Sequence, residues 1–217
     1  MPNVTPNSSE TNRLLRWAAD GDRQSWGALL IRHQARIRRM VAFRMDPRLR
    51  GRVDPEDVVQ EVNLAAARGQ EDYLRQPDLP FFLWLRGIAG NKLLELHRYH
   101  LGTPMRDARR EVSLDRGVLP GATSAALAAR LLGHQTSPSE ASVRAEKKAR
   151  LQEALDTMDP VDREVLALRH VEQLTNAEAA RLLGIQERAA AKRYLRALKR
   201  LKDILGAMPG GLGGLGP

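Results

Sequence analysis

The chain of 217 residues has no cysteine, and only three each of Trp, Tyr and Phe. Without cysteine there is no disulfide framework, no zinc–thiolate centre and no cysteine nucleophile. No apolar run approaches the ~20 residues that span a bilayer. The opening residues MPNVTPNSSETN lack the basic-then-apolar pattern of a secretory leader. There is no glycine-rich phosphate loop, nucleophile elbow or pair of catalytic carboxylates, so neither enzymatic chemistry, a cofactor nor a small-molecule substrate is expected. Acidic residues are also in deficit: 35 Lys and Arg stand against 26 Asp and Glu, a formal charge of +9. That balance suits a polyanionic partner, either nucleic acid or an anionic membrane surface. Period-two alternation is scarce, whereas Ala, Leu, Arg and Glu recur at helical spacing, which predicts an all-α fold. The expectation is a soluble cytoplasmic protein.

What is present is a set of legible helix starts. Asp54-Pro55-Glu56-Asp57, Ser137-Pro138-Ser139-Glu140 and Asp159-Pro160-Val161-Asp162 each put a capping side chain before a proline, with an acid two residues after it. The cap oxygen accepts from an unpaired amide, proline sits where no amide is needed, and the carboxylate faces the positive helix end. Thr175-Asn176-Ala177-Glu178 has the spacing of a capping box. These signals divide the chain into a disordered N-terminus at 1–10 and a helical domain at 11–100, with helices near 11–20, 23–45, 55–68 and 80–100. A linker able to carry short helical pieces follows at 101–136, then a second helical domain at 137–205 and a disordered glycine-rich tail at 206–217. In the second helix Trp26, Leu30, His33, Ile37, Met40 and Val41 fall on one face and form a core stripe.

The segment 159–205 carries the clearest chemistry. Thr175 caps a helix bearing Ala179, Ala180, Leu182 and Leu183, and Gly184 ends it in the left-handed conformation that glycine adopts without strain. A new helix then starts at Gln186 or Glu187, and small alanines allow the two helices to cross closely, as in a helix-turn-helix. Ala190, Tyr194, Ala197, Leu198 and Leu201 recur at inward-facing steps. From Gln186 to Lys202 there are seven cations and one acid, Glu187, a local charge of +6. In a helix-turn-helix the start of the second helix reaches base edges and nearby cations hold phosphates. Gln186, Glu187, Arg188 and Lys192 are therefore expected in the major groove, with Arg193, Arg196 and Lys199 on phosphates. An amphipathic membrane helix is disfavoured, because the apolar face is alanine-rich and lacks bulky aromatics.

The sequence DREVLALRHVEQLTNAEAARLLGIQERAAAKRYLRALKRL resembles the sigma-4 domain of extracytoplasmic-function (ECF) sigma factors. The resemblance implies recognition of the −35 promoter element by this helix-turn-helix. Gln186 stands where many relatives have a serine cap, and Arg188-Ala189 where Gly-Thr is common.

Two further segments extend the resemblance. In DPEDVVQEVNLAAAR (54–68), Val58, Val59, Val62, Ala65 and Ala66 form a core stripe, and Asp57, Gln60, Glu61 and Leu64 another face. On the residues alone this second face is either solvated or a protein-docking surface. It is similar to the family's DxEDLVQExFLxA motif, which implies docking of Asp57, Gln60, Glu61 and Leu64 on the polymerase clamp. In LPFFLWLRGIAGNKLLELHRYH (79–100), Phe81, Phe82 and Trp84 precede Arg86, Asn91, Lys92, His97 and Arg98. Aromatics beside cations and an amide can stack an unpaired base and hold its backbone, whereas Trp84, Leu85, Ile88 and Leu93 also read as core. The similarity to the family's FxxWLxxIAxNxxxDxxR implies melting of the −10 element, with Arg86, Asn91, Lys92 and Arg98 as its DNA contacts. Glu95 takes the frequent aspartate position and Gly90 replaces a usual arginine.

The opening WAADGDRQSWGALLIRHQARIRRMV is similar to the family's Gly-Asp-x-x-Ala-Phe-x-x-Leu pattern, and MRDARREVSLDRG resembles sigma factors typical of planctomycetes. The implied partners are core RNA polymerase and promoter DNA, with an anti-sigma factor as a further candidate. In the family such linkers thread toward the RNA exit path, which Arg106, Arg109, Arg110 and Arg116 would suit as well as simple solvation. His97 and His100 lie three apart on a helix, but no third ligand accompanies them and no metal site is expected. A freestanding helix-turn-helix regulator, with an effector-binding or dimerising N-terminal domain, is the main alternative. An adaptor whose basic helix binds acidic proteins is another.

Overall fold

In the computed structural model, which describes residues 6–49, 51–101, 123–133 and 141–208, the expected caps are in place. Asp54 accepts from the Glu56 amide at 2.8 Å and Asp159 from the Val161 amide at 2.8 Å, each ahead of a proline in the first helical turn. The Ser137-Pro138 start lies outside the described residues. All regular elements among the described residues are helical, as expected of an all-α protein. The chain forms two compact units, residues 1–120 and 121–217.

The first unit contains α1 (Pro6–Ala19), α2 (Arg23–Arg44), α3 (Pro55–Arg68), α4 (Gln70–Arg75) and α5 (Phe81–Leu101). Helix α1 starts within the stretch 1–10 expected to be disordered. It packs against α2. The stripe on α2 is buried at Trp26, His33, Ile37, Met40 and Val41, and α3 adds Val58, Val59, Val62 and Ala66.

Phe81 and Phe82 at the start of α5 are only 2% exposed. Trp26 meets Phe81 edge-on at 5.4 Å, and Tyr73 on α4 lies 4.6 Å from the Trp84 ring. The Tyr73 hydroxyl donates to the Leu79 carbonyl at 2.9 Å, and burial pushes its pKa up to about 12. Gly69, between α3 and α4, allows this cluster to close, since a Cβ there would lie 3.2 Å from Trp84. Phe81 and Phe82 are thus core, with Trp84 half-buried against them, and the base-stacking role considered for Phe81 and Phe82 is not supported by their position. Aromatic packing of this kind adds roughly 0.5–1.5 kcal/mol per pair beyond burial.

The second unit contains α6 (Ser124–Leu131), α7 (Ala141–Asp156), α8 (Pro160–Leu166), α9 (Asn176–Leu183) and α10 (Glu187–Ala207). Residues 101–136 were expected to be a linker able to carry short helical pieces; α6 is such a piece, and it packs against α7 and buries Leu127 and Ala128 completely. Thr123 caps it by accepting from the Ala126 amide at 3.2 Å. Helix α8 continues as a π-helical turn at Ala167–Val171, in which the Glu172 amide reaches back five residues to the Ala167 carbonyl at 3.1 Å. The π-turn had no signal in the hydrophobic pattern.

Two outcomes test this packing. Leu127→Ala should destabilise the second unit by about 2–4 kcal/mol, read as a lower melting temperature; a free linker would be indifferent to the change. In the first unit the His97 imidazole accepts from the Asp46 amide at 3.4 Å. Burial lowers its pKa below 6.5, opposed by the Asp46 carboxylate and reinforced by Arg48. The unfolded chain therefore takes up a proton near the ordinary value before the folded chain does. This contribution to stability is complete above pH ~6.5 and is lost as pH falls from there toward the lowered pKa. An NMR titration of His97 beside acid unfolding of the first unit should show both.

Candidate nucleic-acid and polymerase interface

In the second unit the reciprocal capping box is formed. The Thr175 amide donates to Glu178 at 2.8 Å, and the Glu178 amide donates to the Thr175 hydroxyl at 3.1 Å. Gly184 closes α9 at φ 65° and ψ 34°, the left-handed conformation, and α10 begins two residues after Ile185, with Gln186 at its N-cap position. Ala179, Ala180, Ala190 and Ala197 are buried where the helices meet, so the backbones approach closely. Tyr194 donates or accepts a 2.9 Å hydrogen bond with His170 of the π-turn, and Arg169 lies 5.4 Å over the same ring. Burial, and then the neighbouring Arg169 charge, lower the His170 pKa. These contacts hold α10 by its inner face and leave its outer face open.

Gln186, Glu187, Arg188, Lys192, Arg196 and Lys199 are all exposed on α10. Arg193 is not on that face. Its guanidinium lies 3.6 Å from Asp162 of α8, and Arg200 lies 4.0 Å from the same carboxylate. At 100° per residue Arg193 points toward the α8 flank, about 100° from Lys192, where it forms an ion pair with Asp162. The Leu195 side chain is 63% exposed among the cations, a position the inward-facing pattern of alanines and leucines left unremarked. Its helical phase, opposite Ala190 and Ala197, was the available signal.

In the first unit Asp57, Gln60, Glu61 and Leu64 are exposed together along α3, with Leu64 at 52%. The start of α3 is tied to α2 by Arg38, 2.9 Å from Glu56, and by a 3.4 Å hydrogen bond from Gln34 to the same carboxylate. On α5, Asn91 and Arg98 are exposed, and the Arg98 Nε donates to the Leu94 carbonyl at 3.4 Å. Arg86, expected to touch DNA, is 4% exposed and belongs to the interior of the unit. Its helical phase places it on the side of α5 that carries Phe82, Ala89 and Leu93, all buried. Lys92 pairs with Glu95 at 3.0 Å and lines a cleft of about 420 Å³ between α3 and α5, with Asp57, Glu61, Leu96 and Tyr99. The structure thus brings Lys92 to the α3 face and separates it from Arg86.

A family model described as sigma-70, region 4 matches residues 148–201. Over 195 residues the chain is 30% identical to the RNA polymerase sigma factor NccH of Alcaligenes xylosoxydans xylosoxydans, covering 88% of this chain and 92% of that protein. The chain belongs to the ECF family of RNA polymerase sigma factors. CnrH, a sigma factor of Cupriavidus metallidurans, is 29% identical over 93% of this chain and 97% of its own length. The ECF sigma factor SigD of Mycobacterium tuberculosis is 28% identical over 93% of this chain and 87% of its length. A solved structure of CnrH in complex with the cytosolic domain of CnrY aligns at TM-score 0.49 and 25% identity, covering 91% of this chain and 98% of that one. Membership in a sigma-factor family over most of the chain decides against the freestanding regulator.

The Asp162 clamp gives a direct test. Asp162→Asn should release Arg193 and Arg200, tighten binding of the full chain to non-specific duplex DNA, and steepen the log–log salt dependence by about one for each additional phosphate reached. Fluorescence anisotropy between about 50 and 200 mM salt reads both quantities.

Proposed function

We propose that this sigma factor divides promoter recognition between its two units. The observation that carries the reading is the exposed basic face of α10, held from behind by the α9 turn and the π-turn. That face presents Gln186, Glu187, Arg188 and Lys192 to base edges of the −35 element, with Arg196 and Lys199 on phosphates. In the first unit, residues 6–101, the exposed α3 face of Asp57, Gln60, Glu61 and Leu64 docks on core polymerase. Carboxylates and an amide around one exposed leucine form an apolar contact with a polar rim. Asn91 and Arg98 on α5 engage the −10 strand. Lys92 stands between the two tasks, beside the α3 carboxylates, where it helps set the charge of the docking face. The second unit reads the −35 element. The chemistry of RNA synthesis belongs to the polymerase, in the cytoplasm. Either DNA contact alone is modest; joining both to the polymerase converts the second into an intramolecular event and raises overall affinity.

The test is run-off transcription with purified core polymerase from the same organism. Promoter-specific transcripts should appear only when the chain is present, and transcripts independent of it would refute the reading. In the same assay Glu61→Lys should weaken core binding by about tenfold without changing the melting temperature. Unchanged core affinity would remove α3 as the docking face.

A further inference from the structure

We propose that Leu195 is a specificity-determining residue of α10, packing against the 5-methyl group of a thymine in the −35 element. This rests on the reading above that α10 enters the major groove. Leu195 is the one large apolar residue of α10 that is exposed. Ala190, Ala197, Leu201 and Leu205 are buried, whereas Leu195 is 63% exposed. At 100° per residue Leu195 lies about 125° from the mean direction of the buried stripe and within about 40° of the mean direction of Arg188, Lys192 and Lys199. It sits about 10 Å along the axis from Arg188, inside the roughly 12 Å width of a major groove. A single exposed leucine elsewhere on a protein needs no explanation. This one occupies the middle of the surface that must lose its water when DNA binds.

The chemistry of the groove then limits what can lie opposite. Carbonyl, ring-nitrogen and amino groups on base edges would lose their water against an aliphatic side chain and gain no hydrogen bond. Thymine presents a methyl group there, and burying one methyl against leucine favours thymine by about fourfold. The flanking cations cannot do this, because ammonium and guanidinium groups donate to guanine acceptors and phosphates. The face therefore combines charge-based contacts with one apolar reading position.

The experiment uses holoenzyme assembled from the full chain and core polymerase. It selects promoter fragments randomised across both elements, once from a normal pool and once from a pool with deoxyuridine replacing every thymine. Wild-type holoenzyme should prefer thymine at one upstream position by about fourfold and lose that preference in the deoxyuridine pool. Leu195→Ala holoenzyme should lose the same preference in both pools and keep selection at the other upstream positions. Its melting temperature should match wild type, because the side chain is exposed. If wild type selects an upstream element but Leu195→Ala keeps the thymine preference, or deoxyuridine serves equally well, the leucine contact is overturned and the docking of α10 stands. If wild type selects no upstream sequence at all, both are overturned.

Discussion

A helix that offers one face to a polyanion must be held by the other, and much of the second unit follows from that constraint. Cations spread around all sides of α10 would repel one another and leave nothing to pack. Here the inner stripe is small, with Ala190 and Ala197 buried against neighbouring helices. Close approach of the backbones depends on these alanines, and the turn between α9 and α10 depends on the positive φ of Gly184. The ring of Tyr194 supplies the remaining grip through His170 and Arg169. Asp162 then gathers the two arginines nearest α8, so the outward charge is narrowed to a single strip.

The first unit is organised around a different interior. Its aromatic cluster joins α2, α4 and α5 from the inside. The outer sides of α3 and α5 are thereby left free of structural duty. The cleft between these helices carries carboxylates from α3 and an ion pair from α5. The exposed carboxylates of α3 consequently lie beside Lys92 of α5.

Much of this was legible in the sequence because the caps are local. Asp54, Asp159 and Thr175 act within a few residues of themselves, and their signatures survive into the fold unchanged. The core stripes of α2 and α3 were equally plain, since their period is that of the helix. What escaped depended on distant contacts. The phase of α5 alone did not say which side would meet the rest of the unit, so Arg86 was read as a DNA contact when it is interior. The clamp on Arg193 needed knowledge that α8 would lie alongside α10. The docking of α6 on α7 is a tertiary contact that its own helical spacing does not specify. Leu195 stands outside the inward-facing set of α10, and its exposure follows from where the neighbouring helices lie.

The docking of α6 also moves the point at which the molecule can be divided. A fragment starting at Ser137, where the sequence places its helix signal, would carry the complete helix-turn-helix yet discard Leu127 and Ala128. The surface of α7 that they cover, and the nearby π-turn, would then meet solvent. Because that turn grips Tyr194, the loss would propagate to the seating of α10. An autonomous DNA-binding half of this protein therefore begins no later than the Thr123 cap, fourteen residues ahead of that sequence signal.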